Sequence, residues 1–234
     1  MIDARRAYDD WHRALDHEGA DASLAPWHAA AVPHMGDVRG LSVLEIGCGR
    51  GGFARWLSGR GASSLVLADF SPAAVALARR DIALDEPASR FLTADIQRLP
   101  FRDGAFDLVC SFETLEHVPR PATGLDELVR VTRHGGRLII TTPNYFGLLG
   151  LYRVYRWLAR RPFTEMGQPI NNPLTLAWRV RRLRALGCRL DVIDGFGHYL
   201  YLPGRVPRRI PALDRARWFT RWFGAHSLTV ATRN

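Results

Sequence analysis

Residues 41–57 read LSVLEIGCGRGGFARWL, and this stretch decides the fold. A short apolar run, Val43, Leu44 and Ile46, stops at four glycines and gives way to a helical pattern of Phe53, Ala54, Trp56 and Leu57. That order predicts a buried strand, a tight glycine turn and a helix opening over it. Gly47, Gly49 and Gly51 tolerate positive φ and let a ligand reach main chain where a Cβ would collide. The first helical N–H groups face the same point. A small cofactor is therefore expected at the end of this strand; the plain alternative is a glycine turn that binds nothing.

Gly47, Gly49 and Gly52 also satisfy the dinucleotide pattern G-x-G-x-x-G, which alone decides little. Glu45, two positions before the first glycine, separates the possibilities. A carboxylate there repels a pyrophosphate and suits a ligand that carries an ammonium group. The string from Glu45 to Gly51, E-x-G-x-G-x-G, resembles motif I of the class I S-adenosylmethionine (SAM) methyltransferases. The resemblance implies a Rossmann-like α/β fold, a seven-stranded, mostly parallel sheet with helices on both faces and its last strand antiparallel. It implies SAM as cofactor and S-adenosylhomocysteine as product.

The sequence beyond the glycines extends the pattern. Leu65–Ala68 reads as a second buried strand closing on Asp69, about 20 residues past the glycines, where nucleoside-binding α/β folds place an acid on the ribose diol. Ser71 and Pro72 form an N-cap and first helical position. Arg90–Ala94 is a third strand, ending at Asp95-Ile96, and Phe106–Cys110 is a fourth. Helix Ala122–Thr132, a turn at Gly135-Gly136 and strand Arg137–Thr142 follow. Strands alternating with helices predict parallel pairing with right-handed crossovers. In the family that these motifs resemble, the cofactor contacts fall on Glu45, Gly47, Cys48, Gly49, Gly51, Asp69, Phe70, Asp95, Ile96 and Phe112.

After strand four comes Phe112-Glu113-Thr114-Leu115-Glu116-His117-Val118-Pro119, similar to the ExLEHVP segment of the ubiquinone-biosynthesis O-methyltransferases. The TPN at Thr142–Asn144 extends that likeness loosely. Glu113, Glu116 and His117 are the candidate catalytic residues, with three roles open. His117 is a general base for a phenol or alcohol; or the three bind Mg²⁺ or another divalent cation, as an ExxEH string does in RNA 3′-terminal ribose methylators; or the segment only positions the reactants. Those RNA enzymes carry a further His downstream, where this chain offers Gln168, Asn171 and Asn172.

Length and composition set the frame. A chain of 234 residues with 47% hydrophobic content fits one full core with an appendage. Met1 to Glu18 is densely charged, so no signal peptide is expected, and no run has the length to span a bilayer. Cys48, Cys110 and Cys188 lie in or beside strands, which points to a reducing cytoplasm. Charge is uneven. Residues 1–146 hold 16 Arg against 19 acidic residues, a net −3, whereas 147–234 hold 16 Arg against 4, a net +12.

Three regions follow: an N-terminal helical flap and connector (1–40), with the Ala4–His17 helix and the Ala20–Gly40 connector; the SAM-binding core (41–146); and a basic C-terminal part (147–234) that completes the sheet and covers the substrate site. In the last, Gly147–Arg161 and Leu174–Leu186 read as Arg-rich helices and Cys188–Ile193 and Ser227–Thr232 as closing strands. Tyr199–His226, between those strands, is rich in Pro, Arg and aromatics. Gly147–Arg161 has Arg153, Arg156 and Arg160 on one side and Leu151, Tyr155 and Leu158 on the other. That helix is either interfacial on the inner, anionic face of a membrane, or packed inward with a solvated arginine face. Nucleic acid is the weaker partner, since no RNA-binding motif is appended. The expected function is O-methylation of a small lipophilic or aromatic acceptor; the alternatives are RNA ribose 2′-O-methylation and a non-catalytic SAM-binding protein.

Overall fold

A computed structural model describes residues 4–15, 24–84, 88–161, 163, 167–200 and 208–234. The end of the expected Ala4–His17 helix, the start of the Ala20–Gly40 connector and part of the Tyr199–His226 segment lie outside the described residues. In chain order, α1 (Ala4–Ala14) and α2 (Pro26–Ala31) precede β1 (Ser42–Ile46), α3 (Gly52–Leu57), β2 (Ser64–Asp69) and α4 (Pro72–Asp81). Then come β3 (Arg90–Thr93), β4 (Phe106–Phe112), α5 (Pro121–Val131), β5 (Thr132–Pro143), α6 (Leu148–Leu158) and α7 (Leu176–Ala185). The chain closes with β6 (Cys188–Phe196), a short pair β7 (Tyr199–Leu200) and β8 (Arg208–Arg209), α8 (Pro211–Asp214), α9 (Arg217–Phe223) and β9 (His226–Arg233).

Seven strands form one sheet in the order β3-β2-β1-β4-β5-β9-β6. β9 runs antiparallel between β5 and β6, and the pairs from β3 to β5 are parallel. Alternation along β1 explains why both sheet faces are covered. Leu44 and Ile46 join Leu125 and Leu128 of α5 and Leu183 of α7 in one apolar layer, and Val43 joins Phe53 and Leu57 of α3 in the other. Strand order reverses between β1 and β4, which opens a crevice at their carboxyl ends. The glycine turn after β1 and Glu113 after β4 both stand there.

Local signals behave as the residue types dictate. Ser71 Oγ accepts the Ala74 N–H at 3.1 Å and Pro72 opens α4, as the capping pattern predicts. The expected turn at Gly135-Gly136 is instead a bulge inside a continuous β5. Phe106 faces Thr132 and Leu108 faces Arg137, so β5 absorbs three extra residues between those pairs. Gly135 takes φ 72° there.

The two Arg-rich helices depart from a simple solvated-arginine picture. On α6 only Leu149 is buried, while Leu151 (69%), Trp157 (74%) and Leu158 (68%) stand exposed, with Val154 and Tyr155 beside them. Arg153 turns inward, over the Tyr145 ring at 5.0 Å, and donates to Asn171 O at 3.1 Å. Arg156 lies over Tyr152. Thus the apolar side of α6 is the outer one, and the inward-packed reading of this helix does not hold. Arg179 of α7 is fully buried. Its guanidinium donates to Thr142 Oγ1 (2.5 Å), Ser227 Oγ (2.9 Å) and Thr229 Oγ1 (3.0 Å). Burial lowers its pKa to about 10, against the opposing pull of Glu113 and Glu116.

Candidate active site

The glycine turn is built so that side chains cannot enter it. Gly47 has φ 80°, and a Cβ there would stand 2.1 Å from Thr114 Oγ1. Gly51 has φ 85° and N-caps α3, and a Cβ there would meet Ile82 at 2.1 Å. Both positions are closed to L side chains on conformation and on space. The Gly47 and Cys48 amides donate to Ala68 O at 2.8 and 3.0 Å, which ties the turn to the end of β2.

Two acids flank that turn. Asp69 Oδ2 accepts the Gly49 N–H and its Oδ1 accepts the Ser71 N–H, each at 2.9 Å. Glu45 is buried, and its Oε2 has no hydrogen-bond partner among the described residues. Burial, then the nearby Asp69, pushes the Glu45 carboxyl up to about 8. A buried carboxyl with one unpartnered oxygen, beside a glycine turn, fits a ligand that brings an ammonium group, so these residues suit SAM. Burial, with Asp69 and Glu45, also raises the thiol of Cys48 well above its usual range. A neutral Cys48 contributes main chain rather than a nucleophile.

The other expected contacts are placed around the same edge. Asp95 after β3 accepts the Gln97 N–H at 2.8 Å, a local turn that leaves it half-buried. Ile96 is buried in the core layer with Leu115. Phe70 is half-buried, with Arg5 4.8 Å over its ring and Tyr8 edge-on at 6.4 Å. Phe112 packs against Phe53 (4.7 Å) and His28 (5.2 Å).

The N-terminal helices lie over this edge, which pattern reading did not place. Asp9 of α1 accepts the Ala73 N–H at the start of α4 and is bonded to the Ser71 hydroxyl. The His12 ring lies over Gly49, the His28 ring over Gly52. Burial lowers the pKa of both, that of His28 to about 4. The Ala4–Ala14 spacing signalled a helix, but nothing in it named the surface it covers.

Glu113, Glu116 and His117 do not form one cluster. Glu113 adopts φ 46°, a left-handed backbone that costs about 1–3 kcal/mol in a non-glycine residue. It sends the carboxylate to His226 of β9, with Oε2 to Nδ1 at 2.8 Å. His117 Nδ1 lies 2.7 Å from Ile170 O and its Nε2 3.4 Å from Glu116 Oε1. Burial lowers the His117 pKa. The surrounding turn is stitched down: Tyr8 Oη donates to His117 O at 3.0 Å, and Asn172 Nδ2 donates to Glu116 O and Val118 O. The Glu113/Glu116/His117 metal site is thereby corrected, because Glu113 turns away to β9. Among the described residues no three His, Cys, Asp or Glu side chains are grouped to hold a metal.

Comparison with known proteins agrees with this geometry. The methyltransferase domain family (Methyltransf_11) matches residues 44–140. The chain is 37% identical over 220 residues to a demethylmenaquinone methyltransferase of Thermus thermophilus, covering 91% of this chain and 88% of that one. It is 40% identical to the chloroplastic tocopherol O-methyltransferase of Arabidopsis thaliana over 43% of this chain and 29% of that one. Two further relatives, demethylmenaquinone methyltransferases of Beutenbergia cavernae and Clavibacter sepedonicus, are matched over 64% and 46% of their own length. Among solved structures, magnesium protoporphyrin IX methyltransferase from Synechocystis, with bound S-adenosylhomocysteine, superposes with TM-score 0.59 at 18% identity, over 99% of this chain and 86% of that one. The chain belongs to the class I S-adenosylmethionine-dependent methyltransferases.

Proposed function

We propose that the protein transfers the methyl group of SAM to a small lipophilic, aromatic acceptor, with oxygen as the receiving atom, and releases S-adenosylhomocysteine. One observation carries the acceptor class. At the crevice edge the His226 ring is surrounded by Phe196 (5.3 Å, stacked), Trp27 (5.9 Å) and Tyr199 (6.3 Å), a setting for a flat apolar ring. The relatives named for demethylmenaquinone and tocopherol support the same class.

When bound, SAM supplies an electrophilic methyl group on a sulfonium. The chain's part is to hold and align. Glu45 would take the ammonium end, Gly47 to Gly51 would let the ligand lie on main chain, and Asp69 would accept the ribose hydroxyls. Asp95 would accept the adenine amine, with Phe70 and Ile96 against the ring and Phe112 behind the methionine part. The described part of residues 1–40 acts as a flap, since His12 and His28 stand over Gly49 and Gly52 and shield the turn from water, while Tyr8 ties α1 to His117 O. Glu116 and His117 act as a positioning pair, bonded into the strand-four turn and the 168–172 loop. An isotope assay with labelled SAM against lipid, small-molecule and RNA fractions tests the reading. Label in the lipid or aromatic fraction supports it, and label in RNA alone refutes it.

The outward face of α6 favours a second element of the proposal. Large apolar side chains that face solvent, on the part of the chain with net charge +12, suit an anionic lipid surface from which a lipophilic acceptor is drawn. No helix of the described residues is long and apolar enough to cross a membrane, so contact would be peripheral.

A further inference from the structure

We infer that His226, oriented by Glu113, is the residue that takes the acceptor's proton; this rests on the methyl-transfer reading given above. Glu113 directly follows β4 and His226 opens β9, 113 positions away, and their side chains meet at 2.8 Å. Three further observations mark the pair as a working group. First, Glu113 is held at φ 46°, and such strain persists only where surrounding structure enforces it. Second, its other oxygen, Oε1, is buried and has no hydrogen-bond partner among the described residues, so it is open to a donor on the substrate other than the reacting O–H. Third, residue 114 packs on the cofactor turn, since a Cβ at Gly47 would overlap the Thr114 side chain. Adjacent residues thus join the glycine turn to the His226 pair.

An ionised Glu113 can only accept, so Nδ1 of His226 carries the proton and Nε2 holds the lone pair. The step balances on that basis. The acceptor O–H proton passes to Nε2, the oxygen forms its bond to the methyl carbon, and the carbon–sulfur bond breaks with its electron pair retained on sulfur. An imidazolium on His226, stabilised by Glu113, and a neutral thioether result. Glu113 is a positioning residue and His226 the catalytic one. Among the described residues, the ionisable groups near the pair include His28 from α2 and Arg179 from α7, both of which feel the Glu113 charge, and Tyr199 of β7, edge-on to the His226 ring at 6.3 Å. His117 also feels it but is turned to Ile170 O.

The test combines the ring's own state with turnover. In ¹⁵N-histidine-labelled protein saturated with S-adenosylhomocysteine, neutral His226 should show a protonated Nδ1 and an unprotonated Nε2. Glu113→Gln should lower its titration midpoint by about one unit or more. With labelled SAM and a reduced naphthoquinone as probe, His226→Gln should cut turnover about 10²–10⁴-fold with SAM affinity unchanged, and Glu113→Gln should shift the pH profile. A protonated Nε2 in the neutral ring, or a midpoint indifferent to Glu113→Gln, overturns the assignment even if the probe is never methylated. Failure of the wild type to bind SAM counts against the methyl-transfer reading instead.

Discussion

Asp69 and Gly49 stand 20 residues apart, and the Asp69 Oδ2 accepts the Gly49 main-chain N–H at 2.9 Å. The end of β2 therefore fixes the glycine turn that follows β1, and the proposed role of the same carboxylate is to accept the ribose hydroxyls. Asp69→Ala should weaken SAM binding by about 1–3 kcal/mol, measured by calorimetry. It should also loosen the turn, seen as faster amide exchange at Gly49. Unchanged affinity would remove Asp69 from the cofactor site.

Glu45 gives a prediction with opposite signs for stability and binding. Its folded pKa of about 8 lies above the usual carboxylate value of 4.5. The ligand-free protein is thus favoured by this group below about pH 4.5 and loses that contribution as pH rises toward 8. Glu45→Gln should therefore raise the melting temperature of the ligand-free protein at pH 8 and leave it unchanged near pH 4. The same variant should bind SAM more weakly. In the wild type, SAM affinity should increase with pH up to about 8, with about one proton released on binding, readable from calorimetry in buffers of different ionisation enthalpy.

His28 predicts acid sensitivity. Burial holds its folded pKa at about 4, below the ordinary value of 6.5. Its contribution is present above pH 6.5 and is lost as pH falls through 6.5 toward 4, roughly 3 kcal/mol in all. His12 and His117, also lowered by burial, act in the same direction. Denaturant titrations of His28→Gln should show a shallower fall of stability over that interval than the wild type. A wild-type stability that is flat from pH 6.5 to 4 would contradict the buried neutral imidazole.

The orientation of α6 makes apolar side chains the informative ones for lipid contact. Trp157→Ser with Leu158→Ser should leave the fold intact, because both side chains are exposed. It should weaken sedimentation with anionic vesicles by about a hundredfold or more. Arg153→Gln should act on stability instead, since that side chain is bonded to Asn171 O. Binding to anionic vesicles that ignores the Trp157/Leu158 change would move the lipid contact elsewhere.

What was legible in the sequence was what local chemistry determines. Val43 to Ile46, the glycines, Asp69 and the Ser71-Pro72 cap each act within a few residues, and the strand-and-helix alternation followed from them. The missing parts depend on distance or on direction. A helical wheel of α6 gives two faces but not which one the fold covers. Arg179 looks like another solvated arginine until Thr142, Ser227 and Thr229, from β5 and β9, close around it. His226 and Glu113 carry no common motif, because only the antiparallel insertion of β9 brings them together. Gly135-Gly136 reads as a turn by composition, yet the β4 register holds it within β5.

The crevice at Glu45, Gly47–Gly51 and Asp69 is proposed as the SAM site. Calorimetric titration of the protein with SAM and, separately, with NADH tests it most directly. SAM should bind saturably and one to one, weakened by Glu45→Gln and by Asp69→Ala, with no comparable binding of NADH. NADH binding more tightly than SAM, or SAM binding indifferent to both substitutions, would contradict it.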